Sequence, residues 1–345
     1  MNILIVKLSA IGDVIHTLPS LTALRKLYPE AHITWIIEEA SADLIQNHPH
    51  LDHIIVSGRK RWIKEIKTGR PARPLKEIRA FIQDIRQQKY DLVIDFHGLL
   101  KSAVIVWLSG GKRKLGYASM QELSGLFLNE KIPEDMSKHA VDRYLDFPRH
   151  LGAVIKGIEF LIPITDTNKS KVDALLMENG IGEAEAFAAV NPTALWETKL
   201  WDDDQFARLC DRLIAETGMK VLFTDAGPEK IEAIQTRMKQ PAVNLGGRTS
   251  LRDLAYLYRR AAFLITTDSG PMHLAAAMGT PVCALFGPTD PKRTGPYGDG
   301  HVVIQKNMSC SPCFKRVCPD RTCMREITAA EVYKRIEEKF LKPAL

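Results

Sequence analysis

The stretch Ile3-Leu4-Ile5-Val6-Lys7-Leu8-Ser9-Ala10-Ile11-Gly12-Asp13-Val14 decides the fold. Its apolar, mostly β-branched start predicts a buried strand, small residues make a short turn, and Val14, Leu18, Leu21 and Leu24 then recur at helical spacing. A strand feeding a helix through so short a turn opens a parallel α/β unit, in which ligands bind outside the carboxyl ends of the strands. Asp13 falls at that edge. An acid there either caps the helix or serves as a general base. The turn lacks G-x-G-x-x-G, which argues against a dinucleotide site and hence against a dinucleotide-dependent dehydrogenase.

The alternation continues outward. Strand-like runs at residues 32–37, 53–56 and 92–95 are separated by helical segments such as 74–88, whose Ile78, Phe81, Ile82 and Ile85 share a face. Residues 155–168 loosen into Gly, Pro and Thr-containing sequence and read as a linker. A second series follows, with strands at 187–191, 220–224, 242–245, 263–266 and 282–286 and helices at 203–217, 229–239, 251–260 and 271–278. Thr328 and Glu331, at capping-box spacing, start a last helix. The pattern predicts two doubly wound, Rossmann-like domains, 1–160 and 161–327, with ligand edges facing a central cleft, and a C-terminal helix in 328–345.

The 345 residues carry 45% hydrophobic and 26% charged side chains, values of an ordinary globular chain. A net charge of +6 favours anionic partners without choosing among phosphorylated sugars, lipid surfaces and nucleic acid. Lys7 and Asp13 interrupt the apolar start, so no secretory signal is read there. Residues 102–108, the most apolar candidate for a span, are far shorter than the ~20 a bilayer requires. A cytoplasmic protein is expected.

Chemistry-bearing residues gather after strands. In Thr266-Thr267-Asp268-Ser269-Gly270-Pro271-Met272-His273 a strand yields to a helix with proline at its start. The free N–H groups of Ser269 and Gly270 would hold an anion such as a diphosphate, with His273 one turn in. Lys199, between Trp196 and Trp201 and downstream of Thr193, is placed to stabilise a departing diphosphate. Glu229 opens a helix after Ala226-Gly227-Pro228, where it either serves the helix dipole or contacts a hydroxyl. Phe286-Gly287-Pro288-Thr289-Asp290 makes a rigid turn on the same edge.

In the first half, Asp95-Phe96-His97-Gly98-Leu99-Leu100-Lys101 ends a strand with polar residues. The cluster Arg59-Lys60-Arg61-Trp62-Ile63-Lys64 and the pair His139 and Arg143 are read as loop and helix-face groups for an anionic acceptor. Four of the six cysteines, Cys310, Cys313, Cys318 and Cys323, crowd together. The crowding resembles a tetrathiolate, but the spacing is not that of a zinc ribbon, so no metal is assigned. Cys210 and Cys283 read as core residues.

Taken together, residues 9–19, 95–99, 199–201, 268–273 and 287–290 resemble bacterial lipopolysaccharide heptosyltransferases, glycosyltransferases of family 9 with the GT-B fold. Residues 59–64 and 139–143 look closest to the type I members. The resemblance implies transfer of L-glycero-D-manno-heptose from ADP-heptose to Kdo of the inner core, with inversion, by a cytoplasmic enzyme peripheral to the inner membrane. It implies no cofactor, metal or nucleic acid. Asp13 would be the base and Lys199 would stabilise the leaving ADP, with Thr193, Glu229, Asp268, Ser269, Gly270 and His273 holding the donor. Ser9, Gly12, Arg59, Lys60, Arg61, Lys64, His97, Gly98, Lys101, His139 and Arg143 would face the acceptor. Ala194 and Leu195 depart from the family pattern, which has a second hydroxyl residue beside Thr193. The cysteine cluster recurs in some type II-like sequences, and relatives that modify autotransporter proteins carry a metal-binding one. A heptosylated core, a protein acceptor and an inactive nucleotide-sugar-binding protein are the competing expectations.

Overall fold

A computed structural model describes residues 1–119, 122 and 124–342. The chain divides into two compact units, Met1–Pro163 and Ile164–Leu345.

The first unit holds β1 (Asn2–Val6), β2 (His32–Glu38), β3 (His53–Ser57), β4 (Leu92–Asp95), β5 (Arg113–Tyr117) and β6 (Glu130–Ile132). All pair in parallel, in the order β3-β2-β1-β4-β5-β6. The chain begins in the middle, steps out to β3, crosses back to β4 and steps out the other way. Between β1 and β4 the direction of winding reverses, and a crevice opens beyond their carboxyl ends. Register sets what lies there, because Val6 pairs with Asp95 on one side and with Ile36 on the other. Ile3, Leu4, Ile5 and Val6 are fully buried, as a strand covered on both faces requires. Helix Ile11–Leu27 packs on helix Ala140–His150. Leu4, Val6, Ile85, Val93 and Ile105 form a separate cluster beneath helices Ala72–Gln87 and Leu100–Leu108.

The second unit repeats the plan with β7 (Phe187–Asn191), β8 (Lys220–Phe223), β9 (Val243–Asn244), β10 (Phe263–Thr267), β11 (Val282–Phe286) and β12 (Val302–Gln305). The order is β12-β11-β10-β7-β8-β9, all parallel, so winding reverses between β7 and β10. Its core includes Phe206, Cys210, Phe223, Ile265 and Cys283, together with Val332 and Ile336 from helix Ala329–Ile336, which packs on helix Asp203–Thr217. Burial raises the Cys210 thiol and pushes that of Cys283 up to about 12, in keeping with inert core residues. Trp201, 1% exposed, donates from Nε1 to the Ile327 carbonyl at 2.8 Å and anchors the segment that follows Lys199.

Several expectations change. Arg59–Lys67 is a helix rather than a loop, begun at Gly58 and seated by buried Trp62. The linker ends earlier than residue 168, because Thr165 accepts from the Asn168 N–H at 3.3 Å while the Asn168 side chain accepts from Thr165 N at 3.1 Å, a capping box that starts helix Asp166–Glu178. Strands β5 and β6 carry no apolar run that periodicity alone selects, and β12, with the run Val302-Val303-Ile304, lies outside the expected strands. The last helix passes into a wider turn at Glu337–Leu341, and residues 343–345 lie outside the described ones. No helix among the described residues is long and apolar enough to cross a membrane.

Leu4→Ala removes a fully buried side chain from the central strand of the first unit, so urea denaturation is expected to show a loss of about 2–5 kcal/mol.

Candidate functional site

Each unit brings charged side chains to its own point of winding reversal, and the two clusters differ in character.

In the first unit Asp13 occupies the third position of helix Ile11–Leu27. Its Oδ2 accepts from the Ala10 N–H at 3.1 Å, and its Oδ1 accepts from the Tyr144 hydroxyl at 3.4 Å. The carboxylate closes the helix start yet its side chain remains 42% exposed, so the cap role leaves the base role open. Behind it lies Lys7, 3% exposed, whose Nζ donates to the Phe96 carbonyl at 3.0 Å and to the Tyr144 hydroxyl at 2.7 Å and stands 4.0 Å from Asp13 Oδ2. Burial lowers the Lys7 ammonium below the usual lysine range, while Asp13 and Asp95 oppose that shift. The Tyr144 hydroxyl is pushed well up by burial and then by Asp13, so it remains a neutral donor.

Asp95 ends β4 and is buried, which raises its carboxyl above the usual range. It accepts from the N–H groups of His97 at 2.8 Å and Gly98 at 3.1 Å and from the Ser102 hydroxyl at 2.9 Å, shaping the turn. Gly98 needs its φ of 71°, a conformation that side chains with a Cβ rarely adopt. Burial, followed by the charges of Lys7 and Lys101, pushes the His97 imidazole down to about 3. It is neutral near pH 7, and both ring nitrogens are unpartnered in the structure.

Glu38, absent from the candidates read in sequence, ends β2 buried and gathers three cations: Arg59 at 3.0 Å, Lys60 at 3.4 Å and Lys101 at 3.7 Å. Lys101 also donates to the Ser9 hydroxyl at 3.3 Å. One carboxylate cannot neutralise three cations, so this edge carries excess positive charge beside Asp13, suited to an anionic ligand. The rule that singled out Asp13, an acid at the end of an apolar strand, applies equally to Glu38.

Other acceptor candidates separate from this group. Arg61 is held by Glu39 and Glu77, at 2.8 and 2.7 Å, and by Glu65 at 3.5 Å. Lys64 stands exposed farther along the same helix. His139 caps helix Ala140–His150, accepting from the Val141 N–H, and lies edge-on to His16. Buried Arg143 pairs with Glu134 at 2.5 Å, and Gly12 is buried in the first turn of helix 11–27. A groove of about 500 Å³ lined by Lys26, Leu27 and residues 152–157 lies toward the other end of helix 11–27 and includes none of these groups.

In the second unit Lys199 is 2.6 Å from Asp268 Oδ2, which also accepts from the Thr289 hydroxyl at 2.6 Å. The ammonium lies 4.5 Å from the centre of the Trp196 ring. Buried Asp268 thus pairs with Lys199. Ser269 precedes helix Gly270–Ala277 without capping it, its hydroxyl lying 3.1 Å from that of Thr266, so first-turn N–H groups remain for an anion. His273 is buried one turn in. The Thr193 hydroxyl donates to Asp225 at 2.9 Å, and its carbonyl accepts from Thr267 at 3.3 Å, tying the β7 and β10 loops together. Glu229 is exposed at the start of helix Glu229–Gln235. At Gly246 an added Cβ would come within 2.4 Å of the Gly227 carbonyl oxygen, so a glycine is needed where this loop turns.

The cysteine-bearing segment braces the loops that follow β7 and β11. The Cys313 and Phe314 N–H groups donate to the Pro288 carbonyl at 2.9 and 2.8 Å, and the Lys315 carbonyl accepts from Thr198 at 2.8 Å. Cys310, Cys313, Cys318 and Cys323 are free thiols, and among the described residues no group of three or more ligating side chains is arranged around a metal position.

Comparison with known proteins gives consistent matches. Residues 78–323 match glycosyltransferase family 9 (heptosyltransferase). Lipopolysaccharide heptosyltransferase 1 of Pseudomonas aeruginosa is 32% identical over 331 residues, covering 92% of this chain and 87% of that protein. The structure of E. coli heptosyltransferase WaaC with ADP superposes with a TM-score of 0.76 at 27% identity, covering 98% of this chain and 100% of that one. A glycosyl transferase family 9 structure from Veillonella parvula gives 0.83 at 26% identity, covering 99% and 97%.

The depressed His97, and His48 pushed down to about 4 chiefly by burial, carry a sign for stability. Between about pH 6.5 and 4 the unfolded chain takes up protons that the folded one refuses, so stability falls as pH falls through that window. His97→Asn is expected to flatten this decline, read from denaturation midpoints across the window; an unchanged slope would contradict the assigned neutrality.

Proposed function

The chain belongs to glycosyltransferase family 9, and from that premise we propose that it is an inverting heptosyltransferase, moving L-glycero-D-manno-heptose from ADP-heptose to Kdo of the lipopolysaccharide inner core. It acts at the cytoplasmic face of the inner membrane, to which it binds peripherally. The observation that carries the reading is the Asp13 carboxylate, fixed by Ala10 and Tyr144 yet exposed, beside an edge with more cations than carboxylates. Such a group can take a proton from an acceptor that is itself anionic, and Kdo carries a carboxylate.

In this mechanism the acceptor hydroxyl loses its proton to Asp13 as its oxygen attacks the anomeric carbon. The bond from that carbon to the ADP oxygen breaks on the opposite side, which inverts the centre. ADP departs with an added negative charge, offset by the Lys199 ammonium and the N–H groups at the start of helix Gly270–Ala277. Asp268 and Thr289 keep Lys199 in place, and Glu229 takes a donor hydroxyl. The protonated Asp13 returns its proton to water.

ADP release from ADP-heptose and Kdo-lipid A is the direct test. Asp13→Asn is expected to lower turnover about 10²–10⁴-fold with donor binding retained. Undiminished turnover would remove Asp13 from the mechanism, and transfer only to an already heptosylated core or to a protein would overturn the acceptor assignment. Lys7→Met removes a buried cation 4.0 Å from the base. The acidic limb of its pH-rate profile is expected to move to higher pH, because the carboxylate then takes up a proton more readily.

A further inference from the structure

Over residues 59–79 nine lysines and arginines face two glutamates, a net of seven positive charges in a chain whose total is +6. Both glutamates are consumed locally. Glu65 pairs with Arg61, and Glu77 takes Arg61, Arg73 and the Trp62 indole, which together hold its carboxyl down to about 2. Lys64, Lys67, Arg70, Lys76 and Arg79 have no ion pair among the described residues. Their charge is therefore presented to whatever approaches.

The same layer exposes apolar side chains in helical register. Trp62 seats helix Arg59–Lys67 on Phe81 of helix Ala72–Gln87, with ring centres 5.5 Å apart, and helix Ala72–Gln87 in turn touches helix Leu100–Leu108. With Trp62 turned inward, Ile63 and Ile66 are exposed alongside Lys60, Lys64 and Lys67. On the third helix Leu100, Val104 and Trp107, spaced four and three residues apart, form an exposed ridge with no charged member, and Trp107 is 58% exposed. Leu75 adds to the set from the middle helix. Apolar ridges beside unneutralised cations are the pattern of a surface that enters the headgroup region of a bilayer. A nucleic-acid surface would interleave several aromatic side chains with the cations, whereas this one exposes a single tryptophan.

We propose that the outer face of helices Arg59–Lys67, Ala72–Gln87 and Leu100–Leu108 is a docking surface for an anionic lipid bilayer. Two of these helices begin at the ligand edge, where Arg59 and Lys101 meet Glu38, so a bilayer on this face borders the site at which a lipid-anchored acceptor is handled. That last step rests on the function proposed above; the surface itself does not.

Cosedimentation of the full chain with vesicles tests the surface. Binding to vesicles containing phosphatidylglycerol is expected to exceed binding to pure phosphatidylcholine and to fall with salt. Lys67→Glu/Lys76→Glu/Arg79→Glu should weaken it at least about tenfold. Of the five tryptophans Trp107 is the exposed one, so brominated lipid should quench part of the fluorescence, and Trp107→Phe should abolish that part. With the protein folded by circular dichroism, Val104→Ser/Trp107→Ser should lower turnover of a vesicle-embedded acceptor and spare a deacylated, water-soluble one. Equal binding to both vesicle types, unimpaired binding of the charge-reversed variant, or loss of self-association or RNA binding in its place would overturn the proposal. Vesicle binding without transfer to any acceptor would leave the surface standing and remove the function.

Discussion

A parallel strand covered on both faces has no solvated side, and most of this molecule follows from that constraint. β4, β7 and β10 are buried along their lengths and β1 from Ile3 onward, so hydrophobic burial fixes their residues and leaves charged groups to the places where strands stop. Parallel register then aligns those ends. Val6 beside Asp95 in one sheet and Asn191 beside Thr266 in the other put the polar turns of two strands next to each other where winding reverses. Asp13 with Asp95, and Thr193 with Asp268, meet the same edge for this reason, although more than seventy residues separate the members of each pair.

The two edges use charge differently. At the first, one carboxylate is buried under cations, Glu38 beneath Arg59, Lys60 and Lys101, and one cation is buried behind a carboxylate, Lys7 behind Asp13. Leaving a charge buried without its partner costs several kcal/mol, so these groups hold one another in position. At the second edge, one acid holds one lysine, and the helix start supplies the remaining positive potential through N–H groups. The first arrangement suits an acidic group that binds while a proton is taken up nearby. The second suits a diphosphate that leaves.

Particular residues show how far sequence carried the assignment. The strand β1 and its turn into a helix were legible because a short apolar run followed by helical spacing has one simple reading, and this places Asp13 at the strand end, as cap or as base. The basic cluster at 59–64, expected on a loop at the ligand edge, is helical: Trp62 and Ile66 recur four residues apart, and packing of Trp62 on Phe81 seats the segment. Arg61 and Arg59, two residues apart, part company because Arg61 finds Glu39, Glu65 and Glu77 while Arg59 finds Glu38. Only Glu65, four residues after Arg61, is a local difference between them; the other partners come from elsewhere in the chain. Glu38 carries the same strand-end signal as Asp13, whereas Tyr144 and the pairing of Thr289 with Asp268 involve partners distant in the chain that no local pattern marks.

By itself the sequence determined the alternation of strands and helices, the two-unit plan and the acid at the end of the first strand, since these rest on periodicity and on residues adjacent in the chain. Only the tertiary structure decided which cations have no ion pair among the described residues, that Asp268 pairs with Lys199, and that Lys7 stands buried behind Asp13. Those outcomes depend on burial and on distances of a few ångströms between residues far apart in the chain, and a one-dimensional pattern does not contain them.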